Sequence, residues 1–191
     1  MTLPATDNFN RTNANPIGGN WTTVPGANAM QITSNAAAGT SDPSCAYWNA
    51  DSFAGDHYAQ IVTPVNTDPG FWIGPAVRCS ASQLDCYFLL IKGSANNARI
   101  YKFVNGSATL LASLDYAFSG GDTHRLEVVG TLLTVYLNGV SKGTANDSAL
   151  SGGAAGIVAN GTTPTLDDWE GGNVGGVPTV QLRLEVGKPR P

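Results

Sequence analysis

The fold is decided by GDTHRLEVVGTLLTVYLNGV, residues 121–140, in which polar and apolar side chains alternate on both sides of Gly130. Leu126 and Val128 share one face of the first half, and the second half, residues 131–138, alternates in the same way. A period of two is typical of an antiparallel strand with one buried face. The stretch therefore predicts a β-hairpin that turns at Gly130.

Two Asn-Gly pairs predict further hairpins, one at Asn105-Gly106 and one at Asn138-Gly139. Asn-Gly suits the two positive-φ positions of a type I′ turn, whose twist matches the flanking strands. Short segments rich in β-branched and aromatic residues predict strands at 57–63, 71–77, 86–92, 98–104, 108–114, 124–130 and 131–138. The only helical candidate is a single turn at residues 146–150.

The segment CYFLLIK, residues 86–92, is apolar at successive positions. A strand with this pattern is buried on both faces, so we expect it to be central and covered on both sides. Together with the alternating segments it predicts an all-β fold, a two-sheet antiparallel β-sandwich of jelly-roll type.

Composition excludes two classes of partner. Charged residues make up 13% of the 191 residues, against about 25% in a typical soluble domain. The formal net charge is −4 and the ten basic residues are scattered, so no surface is expected to follow nucleic-acid phosphates. No apolar run is long enough to suggest membrane insertion.

The order of several motifs resembles a known group of proteins. These motifs are DNFNR (7–11), PIGGNW (16–21), GPAVR (74–78), the hairpin stretch 121–140 and LDDWEGG (166–172). Over roughly residues 5–172 the chain is similar to the concanavalin A-like lectin/glucanase, or laminin G-like, jelly-roll superfamily, which includes phage virion surface proteins. The resemblance implies that the first and last sandwich strands are neighbours. It also implies a sheet face that often holds sugar and, in some members, a structural calcium ion.

The sequence divides into a sandwich at 1–172, a Gly-rich linker at 173–178 and a C-terminal strand or arm at 179–191. Four apolar residues alternate with polar ones in the arm: Val180, Leu182, Leu184 and Val186. Such a strand must cover its apolar face. It can pack on its own sandwich, or it can add to a partner subunit.

Candidate glycan-binding residues are aromatic side chains that could stack on sugar rings, with arginines beside them. They are Tyr101, Tyr136, Arg99, Arg78 and Trp72. The alternative for each aromatic residue is an ordinary place in the core or on the surface.

Acidic residues near the two ends of the sandwich are candidate calcium ligands: Asp7, Asp167, Asp168 and Glu170. No other cofactor is expected.

No catalytic residues are predicted. Glucanases of the superfamily carry a leading Glu two residues before the Asp of an acidic strand, but Leu166 stands at that position here. A lyase site is not expected either, because His57 and Gln60 are three residues apart on a strand and face opposite ways. We therefore expect that the chain is not an enzyme.

Three cysteines, Cys45, Cys79 and Cys86, leave two interpretations open. They can be three free, buried thiols, or Cys79 and Cys86 can form a cross-strand disulfide across the short loop between them.

These features predict a non-catalytic structural or adhesive surface protein, such as a phage capsid-decoration or tail component with glycan binding. Its partners would be copies of itself, other virion proteins or surface glycans. The virion location rests on the first eleven residues, MTLPATDNFNR, which have no secretory signal pattern. The alternative is a carbohydrate-binding module of a secreted, extracellular protein, and the third candidate is a polysaccharide lyase or glycoside hydrolase.

Overall fold

The computed structural model describes residues 3–63, 72–92, 97–163 and 165–175. Within these ranges the chain forms fifteen strands and no helix, which confirms the all-β prediction. The strands are β1 (Ala5–Asp7), β2 (Trp21–Thr23), β3 (Met30–Thr33), β4 (Ala36–Gly39), β5 (Ser44–Trp48), β6 (His57–Val62), β7 (Trp72–Cys79), β8 (Cys86–Lys92), β9 (Asn97–Val104), β10 (Ser107–Asp115), β11 (Thr123–Val129), β12 (Leu132–Leu137), β13 (Val140–Asn146), β14 (Ala154–Asn160) and β15 (Thr165–Asn173). The described part of the chain has no helix of the length and apolarity needed to cross a membrane.

The paired strands form two antiparallel sheets. The eight-stranded sheet has the order β13-β12-β11-β6-β15-β4-β3, with β1 paired to β15. The seven-stranded sheet has the order β10-β9-β8-β7-β14-β5-β2. Between them lies the main core, which includes Leu126, Val128, Leu133 and Val135 from the hairpin that decides the fold. The two-sheet sandwich is therefore confirmed, and the alternation in the sequence identifies the inward face correctly.

All three predicted hairpins are present. Asn105 and Gly106 have φ values of 51° and 75°, and Asn138 and Gly139 have 50° and 78°, as a type I′ turn requires. Gly130, with φ 57°, joins β11 to β12, where Val129 pairs with Leu132. Each tight turn fixes the pairing register of the two strands that it joins, so β9 to β13 lie close to where alternation and turn residues predict them.

The helical turn predicted at residues 146–150 is wrong, because β13 continues to Asn146 and an irregular segment follows. Asp147 explains the difference. Its carboxylate accepts hydrogen bonds from the Ala149 amide (2.9 Å), the Tyr87 hydroxyl (2.7 Å) and Lys102 Nζ (2.6 Å). A side chain that satisfies local backbone in this way competes with helix formation.

The glycines at 171 and 172, the last two residues of the predicted sandwich, belong to β15. A Cβ on Gly171 would lie 2.6 Å from the Trp169 ring, and one on Gly172 would lie 2.8 Å from the Tyr58 hydroxyl oxygen. Both glycines are therefore needed for close packing rather than for flexibility. Of the predicted linker, Asn173 ends β15, and residues 176–178 lie outside the described residues.

The predicted arm, with Val180, Leu182, Leu184 and Val186, also lies outside the described residues. Its packing, in its own sandwich or on a partner, stays a prediction.

Candidate functional site

A second apolar cluster lies on the outer face of the seven-stranded sheet. In β8, Tyr87, Leu89 and Ile91 point into the main core, while Cys86, Phe88 and Leu90 belong to this second cluster. The prediction that this strand is covered on both sides is confirmed. At one end the cover comes from Val24, Leu84 and the loops that carry them.

Beyond those loops the outer face stays open as a groove of about 300 Å³, which we call the aromatic groove. Its aromatic lining residues are Trp72, Phe88, Tyr101 and Phe103, and its polar ones include Asp42, Arg99 and Asn160. The Phe88 ring lies nearly parallel to that of Tyr101, with centroids 5.6 Å apart, and to that of Phe103, with centroids 4.6 Å apart. Phe88 is 2% exposed, so it forms the floor, whereas Tyr101 is only partly buried.

Strand register explains why these side chains meet. Phe88 of β8 pairs directly with Tyr101 of β9, and Leu90 pairs with Arg99. Since alternate residues of a strand face the same way, Arg99, Tyr101 and Phe103 all project onto the outer face. Each directly opposed pair then lies within reach across the strands.

Two cations lie over the Trp72 ring at one end of the groove. The Arg99 guanidinium is 5.0 Å from the ring centroid, and Lys92 Nζ is 5.6 Å from it. Both distances suit cation–π attraction, which holds the long side chains in place. The structure therefore brings together three of the predicted glycan-binding residues, Trp72, Arg99 and Tyr101.

Arg78 lies away from the aromatic groove, so the structure does not bring it together with Trp72, Arg99 and Tyr101. It is 4% exposed, and its guanidinium donates to the carbonyl oxygens of Gly55 (3.1 and 3.0 Å), Leu150 (2.6 Å) and Gly130 (2.7 Å). Because each of the three guanidinium nitrogens donates to a loop carbonyl oxygen and the side chain is buried, Arg78 holds loops together and is not available to a ligand on the outer face.

Tyr136 lies on the outer face of the other sheet. The Arg125 guanidinium is 3.5 Å from the Tyr58 ring centroid and 5.9 Å from that of Tyr136. Burial, helped by the nearby Glu170 carboxylate, raises the pKa of Tyr58 to about 12. Tyr136 is thus part of a separate surface and cannot act together with Tyr101.

The predicted pairing of the first and last sandwich strands is confirmed, since Asp7 of β1 pairs with Trp169 of β15. Beside this pair lies a hollow of about 580 Å³, the acidic hollow, lined by Asp7, Asp168 and Glu170 among others. Glu170 accepts a hydrogen bond from the Tyr58 hydroxyl at 2.6 Å. Although it is larger than the aromatic groove, its walls carry few aromatic faces.

Three of the four candidate calcium ligands, Asp7, Asp168 and Glu170, line this hollow, and the carboxylates of Asp7 and Glu170 have protein partners. Asp7 accepts from Arg11 at 2.7 Å and from the Trp21 indole at 2.8 Å. Burial, together with the negative charges of Asp168 and Asp7, raises the pKa of Asp167. Among the described residues, the ligand atoms of these acids do not form a group close enough to share one ion. Calcium binding stays a prediction.

All three cysteines are buried free thiols, as the first of the two interpretations expects. They lie in the covered part of the second apolar cluster.

The fold is shared with proteins of known structure. The structure of the carbohydrate-binding module CBM66 from Bacillus subtilis matches with a TM-score of 0.61 at 21% identity, over 78% of this chain and 91% of that one. The β-glucanase of Bacillus licheniformis matches with a TM-score of 0.59 at 12% identity, over 90% and 98%. A β-1,3-1,4-glucanase (lichenase) derived from a mouse hindgut metagenome matches with a TM-score of 0.61 at 10% identity, over 88% and 98%.

The chain has the concanavalin A-like jelly-roll fold. No protein-family model and no curated protein sequence matches it. At these identities the structural matches show a shared fold, and a shared fold alone does not determine function.

The prediction that the jelly roll is not an enzyme is wrong. Glucanases and a transglycosylase are among its structural neighbours, at identities of 10–12%, so the fold includes enzymes and gives no ground for excluding catalysis. The missing Glu before Asp168 argued against one particular glucanase motif. It did not exclude a different arrangement of acids on the same fold.

Sequence reasoning missed Phe88 and Phe103, which form the floor and one side of the groove. The signal was present as the alternation Arg99-x-Tyr101-x-Phe103. This alternation does not show which face is open, because an apolar strand such as β8 can be covered on either face by the other sheet or by loops.

Proposed function

We propose that the jelly roll binds carbohydrate in the aromatic groove. The observation that carries the proposal is the set of rings on one sheet face, with Trp72 and Tyr101 partly exposed above the buried ring of Phe88. A pyranose ring has an apolar face of C–H groups that packs on such rings. The fold supports the same proposal, because the neighbour CBM66 is a carbohydrate-binding module.

Polar groups at the edge of the groove can bind the sugar hydroxyls. Arg99 supplies donors, Asp42 supplies acceptors and Asn160 supplies both. A mostly apolar floor with a few polar groups around it is the usual composition of a small-ligand site. A groove that is open to solvent suits one or a few residues of a longer glycan.

The test is binding to a panel of neutral and acidic polysaccharides, followed by calorimetry with the oligosaccharide of the best binder. We expect Trp72→Ala and Tyr101→Ala each to weaken binding at least tenfold, which corresponds to about 1.4 kcal/mol. Tyr136→Ala is the matched control, because it removes an aromatic ring from the opposite sheet and should bind as the unaltered chain does. Equal affinity of all variants, or no binding to any glycan, would contradict the proposal.

A second candidate function, cleavage of a glycosidic bond, is favoured by the acidic hollow. Asp168 and Glu170 line the same open surface, and the Tyr58 hydroxyl fixes the position of Glu170. Glycosidases use two carboxyl groups, one of which protonates the leaving oxygen while the other attacks the sugar or activates water.

Release of reducing ends from the same polysaccharides tests this candidate. Glu170→Gln and Asp168→Asn should each abolish the release, whereas Asp115→Asn, an exposed acid on β10, should not. If the unaltered chain releases no reducing ends from any member of the panel, this candidate is excluded for those substrates.

Location on a virion surface and association with virion proteins remain predictions from the sequence. The carbohydrate-binding module of a secreted protein has comparable support, because both roles use the same fold and groove.

A further inference from the structure

The three cysteines of the chain meet at one point although they come from three strands. Cys45 lies in β5, Cys79 ends β7 and Cys86 begins β8. Their sulfur atoms all lie within 4.8 Å of one another, and each residue is at most 1% exposed. We call this group the sulfur cluster.

The surroundings of the sulfur cluster are apolar and closely packed. Its neighbours in the second apolar cluster include Ala76, Phe88 and Val158. Gly156 provides the space, since a Cβ there would lie 2.8 Å from Cys79 Sγ and 2.5 Å from the Ala46 carbonyl oxygen. In the described part of the chain, no His, Asp or Glu joins the group as a fourth ligand.

We propose that Cys45, Cys79 and Cys86 form a three-sulfur binding site for a soft metal ion, copper(I). Sulfur ligands about 2.3 Å from an ion at the centre of a triangle lie about 4.0 Å apart, a separation within the 4.8 Å that limits the sulfur–sulfur distances of the cluster. Thiolate sulfur selects soft ions such as copper(I). Zinc is a poorer fit, because structural zinc sites are almost always four-coordinate and this site offers three ligands.

Binding requires no oxidant, because copper enters and stays as copper(I). Each cysteine that binds as a thiolate gives its proton to solvent. A surface hollow between residues 25–26 and residues 82–84 lies over Leu84, which is 5% exposed. Local opening of these two loops would give the ion a path to the sulfur cluster.

The ion would join β5 to β7 and β8, two strands with which β5 does not pair. β7 and β8 are neighbours, but β14 lies between β7 and β5. An ion held by all three cysteines binds the folded chain more tightly than the unfolded one, in which the three thiols are not held together, so we expect it to raise the unfolding temperature. Stabilisation is therefore a readout that is independent of glycan binding.

The experiment uses the full chain, reduced and kept free of oxygen, titrated with copper(I) in competition with the chelator bicinchoninate. We expect one copper per chain, three sulfur neighbours at about 2.3 Å by X-ray absorption, and a higher unfolding temperature. Cys45→Ser, Cys79→Ser and Cys86→Ser should each weaken copper binding at least tenfold. Val158→Ala is the matched control, because it loosens the same apolar cluster without removing a sulfur atom.

Three results would overturn the proposal. The first is complete removal of copper by two equivalents of the chelator, which holds copper(I) as a complex of two chelators and one ion. The second is an absorption spectrum with nitrogen, oxygen or only two sulfur neighbours. The third is a disulfide in protein prepared without oxygen. The spectrum of the unaltered chain decides the question even if a cysteine variant fails to fold.

Discussion

His57 shows how a single side chain in this jelly roll is fixed in one protonation state. Its Nδ1 donates to the Ala54 carbonyl oxygen at 2.7 Å, and its Nε2 accepts from the Arg78 amide at 3.0 Å. The ring must be neutral for Nε2 to accept. Burial lowers the pKa of His57 to about 4, and burial also lowers the pKa of His124 to about 4.

These two histidines predict a loss of stability in mild acid. An unfolded histidine has a pKa near 6.5, so between that value and about 4 the unfolded chain binds more protons than the folded one. Stability is complete above pH 6.5 and falls as the pH is lowered. By pH 5 the loss is roughly 2 kcal/mol for each histidine, measurable by urea unfolding at pH 7.5 and 5.

His124→Phe provides the comparison, because the chain has only two histidines and His124 already lies against the Phe118 and Tyr116 rings. The variant should lose about half of the pH dependence between 7.5 and 5. An unchanged dependence would mean that His124 does not remain neutral in the folded chain.

The packing of the glycines in β15 gives a second residue-scale prediction. Gly171→Ala forces a methyl group against the Trp169 ring and the Ala155 side chain, and overpacking of this kind costs about 1–3 kcal/mol. Gly175→Ala is the control, because a Cβ there would have no heavy atom within 4 Å. Urea unfolding that shows equal stability for both variants would contradict the packing argument.

At the scale of elements, Arg78 joins three loops that are distant in sequence. Arg78 lies in β7. Its guanidinium donates to Gly55 in the loop before β6, to Gly130 in the β11–β12 turn and to Leu150 in the segment before β14. Arg78→Lys keeps the charge but cannot reach all three carbonyl oxygens, because an ammonium group lacks the planar fork of a guanidinium.

We expect Arg78→Lys to reduce the free energy of unfolding by about 2–4 kcal/mol, since buried carbonyl oxygens lose their partners. Arg99→Lys is the control, because Arg99 is partly exposed and changes stability by less than about 0.5 kcal/mol. Chemical unfolding measures both. A small effect at Arg78 would show that water replaces the guanidinium in the loops.

Elements with local signals could be predicted from the sequence, and elements that depend on distant partners could not. The strands β6 to β12 follow alternation and turn residues, and β8 agrees with its predicted bounds of 86–92. The strands β1 to β5 are three to five residues long, and β1 pairs only with β15, at the other end of the described chain. Such short strands have no periodicity of their own to read.

The candidate site divides in the same way. The positions of Trp72, Arg99 and Tyr101 follow from strand alternation, but the sequence does not show which face of β8 is open. Arg78 resembled a ligand-binding arginine because its three acceptors belong to loops whose positions only the tertiary structure defines.

At the scale of the whole molecule, the contacts at the C-terminal end of the sandwich decide where a truncation can remove the arm without disturbing the fold. The Asn173 side chain accepts a hydrogen bond from the Ala54 amide at 2.8 Å, and the Val174 amide donates one to the Asp56 carbonyl oxygen at 3.1 Å. A truncation that tests the arm should therefore keep residue 175 and remove residues 176–191.

We predict that the full chain forms a defined oligomer, measured by light scattering after size exclusion, and that this truncation is a monomer. Leu182→Asp in the full chain should act like the truncation, because it places a charge on the apolar face of the arm. Gln181→Asp is the control on the polar face. If all four proteins have the same number of subunits, the arm does not mediate self-association.

The pairing of Ala5 with Gly171 places residues 3–5 and 171–175 side by side on the eight-stranded sheet. The aromatic groove lies on the outer face of the other sheet. A bead, dye or cargo domain attached through either of these segments would therefore leave the groove facing away from its support. Immobilisation through these segments would therefore display the groove to the solution in one orientation.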